Sequence, residues 1–117
     1  GAFHSPCMES AAASLAQAIA ATTISEPRVP VVLNVSAEAT RDPERIADGL
    51  RRQITSPVLW QASMETLLGS GVTDYFEPAP GRQLTNMLRR YEIETTTHAC
   101  GTAADFTAMS RWPGDAP

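Results

Sequence analysis

The stretch that most limits what this chain can fold into is Val29–Val35, which reads Val-Pro-Val-Val-Leu-Asn-Val. A short, nearly continuous apolar run bounded by breakers suits a strand buried on both faces, as in a parallel sheet. The segments around it have a different period. Met8, Ala12, Leu15 and Ile19 recur at helical spacing, so a helix is expected over about Pro6–Thr22. Asp42-Pro43-Glu44 combines an N-cap residue, a first-position proline and a first-turn acid, and opens a second helix with an apolar stripe of Ile46, Ala47, Leu50 and Ile54. Ser56-Pro57 interrupts the chain. Trp60, Met64, Leu67 and Leu68 then mark a third helix, closed by Gly69 or Gly71. Thr73–Glu77 reads as a second strand and Pro78-Ala79-Pro80-Gly81 as a turn. Leu84, Met87, Leu88 and Tyr91 form the stripe of a fourth helix.

Strands alternating with helices predict an α/β fold with a parallel sheet. Residues 1–93 carry this pattern. It fades over 94–117, a Thr-, Ala- and Gly-rich segment expected to be a weakly ordered tail. Two strands are few for a parallel sheet, whose faces need cover and whose edges need partners. The expectation is a piece of something larger.

Composition narrows the function. The net charge of -4 argues against nucleic acid as a partner. No apolar run approaches the roughly 20 residues that span a bilayer, and no secretory leader is expected, because the first residues lack a basic, then apolar, pattern. Cys7 and Cys100 lack paired spacing and read as free thiols of a reducing, cytoplasmic compartment. No metal site is expected. A thiol or metal site built from His98, Cys100 and Cys7 is a minor alternative, because His-x-Cys lacks a second ligand pair.

His4 is the candidate for chemistry. It stands directly before Ser5-Pro6, with Glu9 in the following turn. Ser5 suits an N-cap and Pro6 the first helical position. A ring just outside a helix N-terminus meets partial positive charge, which favours its neutral, proton-accepting form. The plainer reading is a histidine that simply ends a strand or loop.

Four motifs then line up: Gly-Ala-Phe-His-Ser-Pro at 1–6, Pro-Val-Val-Leu-Asn-Val at 30–35, Arg-Arg-Gln-Ile-Thr-Ser-Pro-Val-Leu-Trp at 51–60, and Phe-Glu-Pro-Ala-Pro-Gly-Arg-Gln-Leu at 76–84. In this order they resemble the C-terminal part of the malonyl-CoA:acyl-carrier-protein transacylase family, related to the acyltransferase domains of polyketide and fatty-acid synthases. The resemblance covers about residues 1–93. It implies the C-terminal portion of an α/β-hydrolase-like, parallel-sheet acyltransferase core.

The reaction it implies is malonyl transfer from coenzyme A to the phosphopantetheine thiol of acyl carrier protein, in fatty-acid or polyketide synthesis. The route is ping-pong through an acyl-serine, with no bound cofactor. By position His4 is the base that takes the serine proton. Gln53 matches the residue whose main-chain carbonyl orients that histidine in place of an aspartate. On local sequence alone, Gln53 is a helix-end surface residue. Phe3 matches an aromatic that goes with malonyl units, since a bulky ring leaves less room for an α-methyl group. Its alternative is a core phenylalanine under the helix.

The nucleophile half is absent from this pattern: no Gly-x-Ser-x-Gly occurs in the chain. Arg51, Arg52, Arg82, Arg89 and Arg90 read as helix surface and not as the family's carboxylate-binding arginine. Ala79 departs from the family's usual Gly-Pro-Gly turn. The chain is therefore expected to be incomplete, inactive alone, and to require a serine-bearing N-terminal part in the same or a separate chain. The alternative is a non-catalytic acyltransferase remnant acting as an interaction module.

Overall fold

The computed structural model describes residues 2–91 and 95–109. The chain divides into two units, Gly1–Ser70 and Gly71–Pro117.

The first unit opens with a 3-10 turn, Pro6–Met8, that runs into helix α1, Glu9–Ala20. Met8, Ala12, Leu15 and Ile19 are all half-buried, so the predicted stripe faces its neighbours. Strand β1, Val31–Val32, pairs antiparallel with β2, Ala39–Thr40. This corrects the expectation for Val29–Val35, which does not run through as a doubly buried parallel strand. The reason is a reversal after Leu33. The Ala37 amide donates to the Leu33 carbonyl at 2.7 Å, and the Leu33 amide donates to Glu38 at 3.2 Å. Ala37 adopts φ 57° to make the turn. Val29 is left 69% exposed.

Helix α2, Pro43–Gln53, begins as predicted: the Asp42 carboxylate accepts the Glu44 amide at 2.8 Å. Its buried side is Ile46 and Gly49, with Ala47, Leu50 and Ile54 half-buried. Helix α3 spans Trp60–Gly69 and buries Met64 and Ser63. Thr66 ties it to the reversal by donating to the Ala37 carbonyl at 2.7 Å.

In the second unit, Gly71 takes φ 80° and leads into strand β3, Asp74–Glu77. Helix α4, Gln83–Leu88, follows and ends in a 3-10 turn, Arg89–Tyr91. Strand β4, Thr96–Ala99, pairs parallel with β3 in the register Asp74–Thr96 to Glu77–Ala99. Helix α5 is Ala103–Met109.

A parallel pair is therefore present, but its second strand comes from the segment expected to be a weakly ordered tail. Thr96 and Thr97 supply β-branched character. The Thr96 amide donates to Thr73 at 2.8 Å and the Cys100 amide to Glu77 at 2.9 Å. These partners lie about two dozen residues away, beyond the reach of local periodicity. Residues 94 and 110–117 of that expected tail lie outside the described residues.

Helix α4 is also rotated from its predicted face. Leu88 and Thr85 are buried, whereas Leu84 is 44% and Met87 39% exposed.

Candidate active site

His4 is built into the first unit by its own backbone as much as by its ring. Ala2–Ser5 forms a turn before Pro6, and His4 holds φ 63° within it. A non-glycine residue rarely adopts this left-handed conformation, although histidine does so more readily than most. The His4 amide donates to the Ile54 carbonyl at 2.9 Å. Its Nδ1 lies 2.8 Å from the Gln53 carbonyl oxygen. Gln53 and Ile54 close helix α2, where the last carbonyls have no partner within the helix. Consecutive orphan acceptors thus take the backbone and the side chain of one residue.

The chemistry of the contact sets the tautomer. A carbonyl oxygen only accepts, so Nδ1 carries the hydrogen and, in the neutral ring, Nε2 keeps the lone pair. His4 is exposed, which leaves that lone pair accessible to a proton donor. The group that orients the ring is a main-chain oxygen, where the usual triad logic has a carboxylate.

The structure brings His4 and Gln53 into contact across 49 positions of sequence. Phe3, next to them in the chain, is 62% exposed. It does not pack under the helix, so the core reading of this residue is corrected. Ser5 does not act as predicted either. Its hydroxyl makes no cap bond to the following turn and instead donates backward to the Ala2 carbonyl at 2.7 Å.

Glu77 was missed by the sequence reading. It ends β3, is 7% exposed, and accepts the Leu84 amide at 3.0 Å on Oε1. Its Oε2 takes the Thr85 amide at 2.9 Å and the Thr85 hydroxyl at 2.8 Å. The Thr85 amide and then the Leu84 amide hold its carboxyl below the usual value of 4.5. The available signal was a helix whose N-cap residue, Arg82, has no side chain able to accept its amides.

Cys7 is exposed and Cys100 buried. His98 stacks on Phe76 with ring centroids 4.5 Å apart, and its Nε2 lies 3.3 Å from Asp74 Oδ1. Among the described residues no group of three metal-capable side chains occurs, and no helix is long and apolar enough to cross a membrane.

No established family profile matches the chain. Individual relatives do. It is 37% identical over 105 residues to the malonyl CoA-acyl carrier protein transacylase of Salmonella typhimurium, covering 90% of this chain and 34% of that protein. The human mitochondrial malonyl-CoA-acyl carrier protein transacylase is 41% identical over 98 residues, with 80% of this chain and 25% of that protein covered. Among solved structures, the Synechocystis sp. PCC 6803 malonyl-CoA:ACP transacylase superposes with a TM-score of 0.84 at 33% identity, over 92% of this chain and 37% of that one. A type II polyketide acyl-carrier protein in complex with its malonyl-transacylase gives a TM-score of 0.79 at 32% identity, covering 94% of this chain and 36% of that one. The chain spans about a third of the length of these bacterial relatives. Over the residues matched, it is a homologue of the malonyl CoA-acyl carrier protein transacylases and carries the α/β acyltransferase fold of that part of them.

Proposed function

We propose that this chain supplies the histidine base for malonyl transfer from coenzyme A to the phosphopantetheine thiol of acyl carrier protein. The observation that carries the reading is the 2.8 Å contact between His4 Nδ1 and the Gln53 carbonyl. It leaves Nε2 as the proton acceptor. A serine presented to Nε2 by the rest of the transacylase loses its proton as it attacks the malonyl thioester. The imidazolium then returns that proton to the departing coenzyme A thiolate. In the second half, Nε2 takes the proton of the phosphopantetheine thiol as it attacks the malonyl-serine ester, and the serine oxygen recovers it.

Gln53 is a positioning residue that acts through its main-chain oxygen. Phe3, exposed beside His4, stands as the residue that narrows the acyl pocket against an α-methyl group. The difference is worth only about 1–3 kcal/mol, so Phe3 biases selection and does not enforce it. The serine-bearing part and acyl carrier protein are the partners this reading requires, and a reducing, cytoplasmic setting suits the two unpaired cysteines. A purely non-catalytic interaction module has no use for a strained histidine held in one tautomer.

The test is reconstitution of malonyl transfer with the serine-bearing part present, in the wild type and in His4→Ala. The reading expects the substitution to lower kcat by at least about 10²–10⁴-fold, the range of general base catalysis. Retained transfer would sink it. Gln53→Ala, which keeps the main-chain carbonyl, should leave most of the activity.

A further inference from the structure

Resting on that reading of His4, we infer that Ser5 is the positioning residue that holds the base in its left-handed backbone conformation. The observations are local and mutually consistent. His4 sits at φ 63° between Ala2 and Ser5. The Ser5 hydroxyl reaches back across it to the Ala2 carbonyl at 2.7 Å, closing the turn over Phe3 and His4. Ser5 itself is extended, at φ -143° and ψ 163°, and stands where an N-cap residue would stand. Its hydroxyl nevertheless makes no cap bond; only its carbonyl takes part in the turn, accepting the Met8 amide at 3.1 Å.

The Ser5 side chain is thus turned away from the helix it precedes. Strained backbone persists only where the surroundings over-determine it. Here three hydrogen bonds do so: Ser5 to Ala2, the His4 amide to Ile54, and Nδ1 to Gln53. On this inference the last two depend on the first. At φ 63° the His4 amide and ring both meet consecutive carbonyls at one end of α2. Without the Ser5 hydroxyl, His4 is released to the ordinary backbone regions and its ring to water, where both tautomers exchange.

The experiment compares the wild-type chain with Ser5→Ala and Ser5→Thr. Long-range proton–nitrogen NMR correlations of the imidazole rings report the tautomer, and far-ultraviolet circular dichroism reports the fold. His98, stacked on Phe76, is the internal control. The wild type and Ser5→Thr should show one His4 tautomer, protonated at Nδ1, with widely separated ring-nitrogen shifts. In Ser5→Ala those shifts should converge toward the average of the two tautomers, with His98 unchanged. In the complete transacylase the same substitution should lower kcat about tenfold at unchanged KM, the signature of a misplaced base and not of lost binding.

A folded Ser5→Ala chain with the wild-type His4 pattern overturns the inference, as does a folded Ser5→Thr chain that loses it. Should Ser5→Ala fail to fold, Ser5→Cys, whose thiol donates weakly, must show an intermediate pattern; a wild-type pattern there also overturns it. A wild-type His4 protonated at Nε2 would instead refute the parent reading at Gln53.

Discussion

The two units use opposite ends of a helix, and the contrast separates chemistry from architecture. In the first unit, the terminal carbonyls of α2 receive the amide and Nδ1 of His4. In the second, the first amides of α4 are received by Glu77. Both arrangements satisfy groups that every helix leaves unpaired. The outcomes differ because the partners differ. Imidazole spends one nitrogen on the anchor and leaves the other uncommitted to it, and His4 remains exposed. The Glu77 carboxylate spends both oxygens on α4 and is buried. An anchored ionisable group is a candidate for chemistry only if anchoring leaves it a free, reachable atom.

The largest effect should separate the two anchors by activity. His4→Ala is expected to abolish transfer with little change in the melting temperature of the second unit. Glu77→Gln should leave the His4 tautomer unaltered. If the Glu77 variant instead erased the His4 signature in NMR, the distinction between the anchors would collapse.

Next in size is Gly101→Ala. A Cβ there would lie 2.7 Å from the Ala79 carbonyl oxygen and 3.0 Å from Pro80 Cα, both backbone atoms that cannot swing aside. Overpacking of this kind costs about 1–3 kcal/mol. Thermal or urea unfolding should place that loss in the second unit, with the first unit's transition unmoved. A wild-type transition would show that the turn at 79–81 yields more easily than its contacts suggest.

Glu77→Gln should lower stability by less and, more tellingly, change its dependence on pH. The carboxyl of Glu77 is held below 4.5 in the folded chain by the amides and hydroxyl it accepts. The folded state therefore binds this proton less tightly than the unfolded state. The stabilisation is fully present above the ordinary glutamate range and fades as pH falls through the lowered value. Asp105, lowered chiefly by the Thr102 hydroxyl, acts in the same direction. Acid unfolding below about pH 4.5 should accordingly be shallower in Glu77→Gln, with a remainder from Asp105. An unchanged acid limb would remove Glu77 from the account.

The smallest effect is expected at Ser63 in the first unit. Its hydroxyl is buried without a hydrogen-bond partner among the described residues. Ser63→Ala should leave the melting temperature unchanged or raise it slightly, because an unsatisfied buried polar group is removed. A clear drop would point to an ordered water at that hydroxyl.

Legibility in the sequence followed the range of the interactions. Asp42-Pro43 announced α2 to the residue because capping is decided within four positions. The α1 stripe was readable because helical spacing is local. The valine run misled for the same reason. Its apolar character was plain, but the reversal at Leu33–Glu38 depends on Ala37 accepting a conformation normally left to glycine. Strand β4 was missed because Thr-Thr-His-Ala carries little hydrophobic signal and is defined by pairing with β3. The face of α4 was misjudged because Glu77, seven residues before Leu84, fixes its first amides.

Sequence by itself determined the first four helices, the Asp42 cap of α2, the α/β class and, through four short motifs, the family resemblance with His4 and Gln53 as the residues to watch. Those properties depend on neighbours within a turn or two, or on a pattern of residue types. Tertiary structure alone decided that Gln53 and Ile54 present consecutive free carbonyls to His4, that Ser5 turns away from the helix it precedes, and that Glu77 is consumed by α4. Each depends on which atom is left unpaired at the end of a folded element, and that is settled only when distant segments meet.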